Sequence, residues 1–242
     1  MTEGLLLATT QISTFDSQKL LTRATGFFFE HSRRLFLVTS RHVVVDEPAK
    51  HFPDRIEIDL HTNGENLAAF ATFSIPLYRD GKSIWRQGMD GSGEIDVAVI
   101  EIERDKLPAQ TWYTAFTPEH LYMNHTGIEV GSLLLIVGFP LGFHDTLHHL
   151  PVVRQSVVAS SFGMRFQGQG FFLTDARTHR GISGAAVVAR SQKPEDAGVA
   201  LPWVLLGVHS SRFDVGTRDL KIDEALGLNC AWYADILIKL TE

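Results

Sequence analysis

What most restricts the fold of this chain is a series of short apolar runs, each cut off by glycine, proline, aspartate or asparagine. Runs this short, rich in Val, Ile, Phe and Leu, read as strands, and a chain of such strands must curl into barrels or stack as a sandwich to protect its edges. The candidates are Thr25–Glu30, Arg34–Thr39, Arg55–Leu60, Ala68–Ile75, Asp96–Ile102, Ser132–Gly138, Val152–Ser160, Gly170–Thr174, Ala185–Ala189 and Trp203–His209. Helical spacing recurs only near the end, at Tyr233, Ile236, Leu237 and Leu240, which predicts a C-terminal helix docking one apolar face. The expected class is all-β with that single helix.

Between the two strand-rich halves, Lys106–Thr126 is polar and carries Pro108 and Pro118, the composition of a linker. The predicted division is an N-terminal region and first barrel over 1–110, a linker over 111–126, a second barrel over 127–228 and the helix over 229–242. Tyr78–Gly93 and Ser191–Pro202 read as long loops, and Gly88–Gly93 as a flexible stretch. No apolar run approaches the roughly 20 residues that cross a bilayer, so no membrane role is expected. Cys230 is the only cysteine, which excludes an internal disulfide. The N-terminus has Glu3 where a secretory leader has basic residues, and its apolar stretch Leu5–Ala8 is short. Cytoplasmic localisation is the resulting expectation. A net charge of −6 without a long basic run argues against nucleic acid as a partner.

Three segments can carry chemistry. Leu35–Val38 runs into Thr39-Ser40-Arg41-His42, leaving an imidazole at the end of an apolar strand. Glu94-Ile95-Asp96 places a carboxylate at the mouth of Val97–Ile100. Gly181-Ile182-Ser183-Gly184 is a serine between glycines, followed by Ala185–Val188. Acyl transfer by a hydroxyl needs an imidazole to take its proton and a carboxylate to fix the imidazole tautomer. Negative charge then builds on the carbonyl oxygen, and the amides of Gly181 and Ser183 are the candidate donors for it. Taken singly, each is bland: a histidine beside a strand, a glycine-flanked turn, an aspartate opening a strand. Their order, His42 then Asp96 then Ser183, each attached to an apolar strand, carries the signal.

Together with Thr25-Gly26-Phe27, Asp175-Ala176, Val137–Gly142 and Val157–Ser160, these motifs resemble the trypsin-like peptidases of bacteria, in particular the protease domain of the HtrA type. The resemblance spans roughly residues 24 to 210. It implies a chymotrypsin-like double six-stranded β-barrel with the active site in the cleft, and a serine endopeptidase acting through His42, Asp96 and Ser183. Ile182 and Ala185 depart from the pattern around the serine, and about thirty residues after Ser210 leave no room for a PDZ domain. Arg177 stands where a carboxylate would select Lys or Arg side chains. Thr178 and His209 are similar to the pair with which glutamyl endopeptidases and picornaviral main proteases hold Glu or Gln, with Arg177, His179 and Arg180 adding positive potential. The plainer reading makes His209 a core histidine and Thr178 a turn residue. Ser210 and Ser211 are expected to offer backbone to a polypeptide substrate as an added strand. No cofactor is expected: Gly88–Gly93 lacks the ending of a phosphate loop, and His144, His148 and His149 lie in a loop without acidic or cysteine ligands that would complete a metal site. The rival to an enzyme is a silent or partner-activated scaffold of the same fold that binds a regulatory protein.

Overall fold

The computed structural model describes residues 3–122, 127–191, 201–210 and 227–242. Two antiparallel sheets account for most of it. The first has the order β5-β4-β1-β2-β3-β9-β8, built from β1 (Thr9–Asp16), β2 (Lys19–His31), β3 (Arg34–Thr39), β4 (Arg55–His61), β5 (Phe70–Pro76), β8 (Trp85–Asp90) and β9 (Gly93–Ile102). A two-stranded ribbon of β6 (Tyr78–Arg79) and β7 (Lys82–Ser83) projects before β8. The second sheet has the order β11-β10-β13-β14-β15-β12, from β10 (Leu133–Gly138), β11 (Val152–Val157), β12 (Phe171–Thr174), β13 (Ala186–Arg190), β14 (Trp203–Ser210) and β15 (Asn229–Tyr233). A bridge between Val158 and Thr174 brings its two outer strands together. Both sheets curl, giving the all-β double barrel.

Period-two side-chain alternation divides the apolar residues among three cores. In β4, Ile56, Ile58 and Leu60 point inward while Arg55, Glu57 and Asp59 point outward. In β2 the run Phe27-Phe28-Phe29 splits. Phe28 enters the first barrel beside Leu35, Leu37 and Ile100, whereas Phe27 and Phe29 join the core between the barrels with Val137, Val188 and Trp232. Leu134, Ile136, Phe172 and Ile182 fill the second barrel.

Several elements differ from the sequence reading. β1 was not expected; its alternation is real but interrupted by polar Thr and Ser that face β2 and β4. The stretch read as a long loop around Gly88 is the β8–β9 hairpin, held by pairing from Trp85 with Ile100 to Asp90 with Gly93. Its strand character comes from pairing with the apolar β9, which the polar, glycine-rich composition of β8 itself conceals. The first sheet therefore has seven strands where six were expected. The segment 229–242 is not all helix: Asn229–Tyr233 is β15, and the helix is Ile236–Leu240. Apolar residues at helical spacing cannot by themselves exclude a buried strand leading into a short helix. Linker residues Thr111–Leu121 lie against both barrels, with Trp112 bridging His61, Phe116 bridging Phe29, and Leu121 bridging Leu205.

The barrels meet at Thr25, which is fully buried in β2. Its hydroxyl donates to the Gly181 carbonyl (2.8 Å) and accepts from the Phe139 N–H (3.1 Å), and its N–H donates to the Ser183 carbonyl (3.0 Å). Its own carbonyl accepts from Thr39 Oγ1 (2.8 Å). Thr25→Val strands a part-buried carbonyl and a buried N–H, the latter costing about 1–3 kcal/mol. Urea denaturation is expected to register a loss of about 2–4 kcal/mol for Thr25→Val, while Thr25→Ser retains most of the wild-type stability.

Candidate active site

His42 sits on Arg41–Val44, a single helical turn closed by Val45 N–H on the Arg41 carbonyl (3.0 Å). The turn is too short to be stable alone. It is held from outside: Arg41 donates to Gln87 (2.5 Å) and pairs with Glu47 (2.9 Å) and Glu94 (3.3 Å), and Val43 and Val44 are buried. Asp96 projects from β9, the strand hydrogen-bonded to β3, so the pairing of these strands brings it beneath the turn that follows β3. His42 Nδ1 donates to Asp96 Oδ2 at 2.8 Å, and the His42 N–H donates to Asp96 Oδ1 at 2.9 Å. Ser210 Oγ adds a third bond to Oδ2 at 2.6 Å.

Burial by itself would raise the Asp96 pKa. The charge of His42, its ring hydrogen bond, the Ser210 hydroxyl and the His42 N–H outweigh it and hold the carboxyl below the usual aspartate range. An ionised Asp96 accepting from Nδ1 fixes the tautomer of His42 and leaves Nε2 with its lone pair outward.

Ser183 lies in the turn between β12 and β13 and is 6% exposed. This turn is shaped by glycines that nothing else can replace. Gly181 has φ +93° and a Cβ there would sit 2.6 Å from the Phe139 carbonyl; Gly184 has φ +86° and a Cβ would overlap the Thr25 carbonyl and Thr39 Oγ1. The Arg180 carbonyl accepts from the Leu141 N–H at 2.6 Å. Because the peptide is planar and trans, the Gly181 N–H points the opposite way, and it donates to no acceptor among the described residues.

One atom ties the segments together. The His209 carbonyl accepts from Ser40 Oγ (3.2 Å), two residues before His42, and from Gly184 N–H (2.8 Å), directly after Ser183. Ser210, next in β14, bonds Asp96. The three distant stretches singled out from sequence therefore converge on His209 and Ser210, two through the His209 carbonyl and the third through the Ser210 hydroxyl. An imidazole oriented by an ionised carboxylate can take a proton from a hydroxyl that comes within reach of its Nε2.

The other sequence candidates are distributed differently. His209 is fully buried, and neither ring nitrogen has a partner among the described residues. Thr178 Oγ1 donates to Asn229 Oδ1 at 2.7 Å, and Asn229 Nδ2 donates to the Ala176 carbonyl at 2.5 Å. Arg177 does not join Thr178 there; it lines an outer groove with Pro140, Phe143 and Arg154. His179 and Arg180 lead into the turn, and Ser211 lies outside the described residues. His148 pairs with Asp145 and His149 with Asp59. Sequence reasoning missed Thr25 as the bolt beneath the serine turn, Asn229 as the partner of Thr178, and the Ser210 hydroxyl as a bond to Asp96. The only signal for them was a polar residue inside or ending an apolar strand, which many surface positions share.

The trypsin-like peptidase domain family matches residues 24–193. No curated protein matches in sequence. Among solved structures, the serine endoprotease from Yersinia pestis aligns with a TM-score of 0.56 at 18% identity, over 98% of this chain and 62% of its own length. The inactivated protease paralogue S-I1 of the scabies mite aligns with a TM-score of 0.55 at 18% identity, over 98% of this chain and 95% of its own. At such identity these two likenesses speak for the fold alone, and the chain spans less than two thirds of the Yersinia enzyme. The family match covers well over half of the sequence, and the chain accordingly belongs to the trypsin-like peptidase domain family.

Proposed function

We propose that the protein is a serine endopeptidase in which Ser183 is the nucleophile, His42 the general base and then acid, and Asp96 the residue that orients His42. The observation that carries this reading is the shared acceptor: the His42 segment and the Ser183 turn both bond the His209 carbonyl, while Asp96 holds Nδ1 at 2.8 Å. Ser183 Oγ attacks the scissile carbonyl carbon as His42 Nε2 takes the hydroxyl proton. The resulting oxyanion is received by the Gly181 and Ser183 amides, a role supported by the outward set of the Arg180 carbonyl. The proton passes from His42 to the leaving amine, and water admitted to the same base hydrolyses the acyl-enzyme.

A fluorophosphonate probe tests this without knowledge of the substrate. Labelling is expected at Ser183, absent in Ser183→Ala and slowed by about 10⁴-fold or more in His42→Ala. A wild-type protein that resists the probe would instead belong to the scaffold class.

The substrate side chain before the scissile bond is proposed to be glutamine in preference to glutamate. His209 faces Ala231 across β14 and β15, two residues along from Asn229. Burial, then repulsion from His42, pushes the His209 pKa down to about 3, so its ring is neutral and offers one donor. The proton of Thr178 is committed to Asn229 Oδ1, because Asn229 Nδ2 is turned to the Ala176 carbonyl. What Thr178 presents is lone pairs. An amide can accept from His209 and donate to Thr178; a carboxylate has nothing to donate and finds no compensating charge. In a peptide panel, kcat/KM after Gln is expected to exceed that after Glu by at least about tenfold. Faster cleavage after Lys or Leu would end the assignment.

Neutral burial of His209 also links stability to pH. Between about pH 6.5 and about pH 3 the unfolded chain binds a proton at this residue that the folded chain refuses, so stability falls as pH drops through that window. Asp96 has the same sign but acts only below about pH 4, where the unfolded carboxyl begins to protonate. Urea melts of wild type and His209→Leu above about pH 4.5 are expected to differ in slope by up to roughly 1.4 kcal/mol per pH unit, the variant being flatter. Parallel slopes would show that His209 is not held neutral.

A further inference from the structure

The loop that supports the serine turn carries a concentration of positive charge that the proposed chemistry does not use. Arginines elsewhere on the described surface are mostly held by carboxylates, as Arg34 is by Glu101 (2.5 Å) and Arg104 by Glu30 (2.6 Å). The guanidinium groups of Arg23, Arg154, Arg177 and Arg180 have no hydrogen-bonding or ionic partner among the described residues. All four gather around Phe139–Phe143. Arg23 passes alongside Gly142, its Cδ 3.3 Å from where a Cβ would stand. Arg154 and Arg177 line a groove of about 410 Å³ with Pro140 and Phe143, and Arg180 is joined to Leu141 through its carbonyl. The one carboxylate within the adjoining loop, Asp145, is turned to His148 and to the N–H groups of Leu147 and His148. On a chain of net charge −6, unpaired arginines clustered at one place mark a site for an anion.

The same groove has an open strand edge. Val158 exchanges hydrogen bonds toward the β10 side, donating to the Ser132 carbonyl and accepting from Gly131, while Val157 faces outward and bonds Asp175. Alternation then turns the N–H and C=O of Gln155 and Val153 outward as well, and these have no partner among the described residues. An open edge accepts another extended chain. Beside it, Phe143 is 70% exposed and Val153 42% exposed, an apolar seat for one side chain. Backbone edge, apolar seat and guanidinium groups are together complementary to an extended acidic peptide.

We infer that this groove docks an acidic stretch of the polypeptide substrate, on the C-terminal side of the scissile bond. Resting on the peptidase reading, the placement follows from the serine turn, which lies between Ser210 on one side and the Leu141 loop on the other. A chain laid along Ser210 before the scissile bond leaves the turn toward Phe139–Phe143. Arg154 and Arg177 form bidentate bonds with its carboxylates, flanked by Arg23 and Arg180.

Binding is measured first on Ser183→Ala protein, by fluorescence anisotropy of a fluorescein-labelled peptide bearing one aromatic residue and a run of Asp and Glu. A second peptide carries Asn and Gln instead. The acidic peptide is expected to bind at least about tenfold more tightly, to weaken with added salt, and to lose its advantage in the double variant R154E/R177E. Equal binding of the two peptides, or an unaffected double variant with an unchanged thermal midpoint, overturns the inference. Equally tight binding of single-stranded DNA of matched charge does the same. On the wild-type enzyme, the acidic stretch placed after the scissile bond is expected to lower KM, and R154E/R177E to remove that gain. If the stretch added as a separate peptide accelerates cleavage instead of competing, the groove serves an activator and the substrate assignment fails. Binding without any cleavage sinks the peptidase reading and leaves the groove; cleavage indifferent to acidic residues leaves the peptidase and sinks the groove.

Discussion

Thr25 is the residue on which the rest of the site depends. It belongs to the first barrel, yet its hydroxyl and N–H satisfy the Gly181 carbonyl, the Phe139 N–H and the Ser183 carbonyl of the second. The Phe139 N–H and the Ser183 carbonyl belong to buried residues and the Gly181 carbonyl is part-buried, so leaving them unpaired is costly and the contact fixes distance and angle as well as contributing stability. The apolar core between the barrels supplies adhesion without direction. Direction comes from this small set of hydrogen bonds, and the tight seat of Gly184 against Thr25 and Thr39 leaves the serine turn little room to move.

Electrostatics at the site follow from a similar economy of polar groups. Asp96 is desolvated, which would favour its neutral form, but it is given bonds from His42 and Ser210 that restore the charge. His209, one residue from Ser210, is desolvated without such compensation and is kept neutral. Two titratable groups on neighbouring elements are thus driven to opposite protonation behaviour by what surrounds them. Among the described residues neither nitrogen of this buried imidazole has a partner, an arrangement that is costly to maintain.

Much of this was legible in the chain itself. Short Val, Ile, Phe and Leu runs between turn residues foretold an all-β protein, because period-two burial needs no tertiary information to be recognised. Gly181 and Gly184 marked a turn with left-handed backbone, which both adopt. By contrast, β8 was hidden in a glycine-rich stretch whose strand character comes from its partner β9, and β15 was absorbed into the helical spacing that follows it. The distance of Arg177 from Ser183 along the chain points to the side-chain pocket, whereas Arg177 lines the outer groove with Arg154.

The sequence by itself determined which residues are candidates for the chemistry: one imidazole, one carboxylate and one glycine-flanked hydroxyl, each attached to an apolar strand. Tertiary structure alone decided how they are joined. That Ser40 and Gly184 share the His209 carbonyl, that Ser210 bonds Asp96, and that Asn229 takes the proton of Thr178 are contacts between residues far apart in the chain. Hydrogen bonds of this kind depend on tenths of an ångström and on direction, and no local pattern of residues encodes either until the two barrels have closed upon each other.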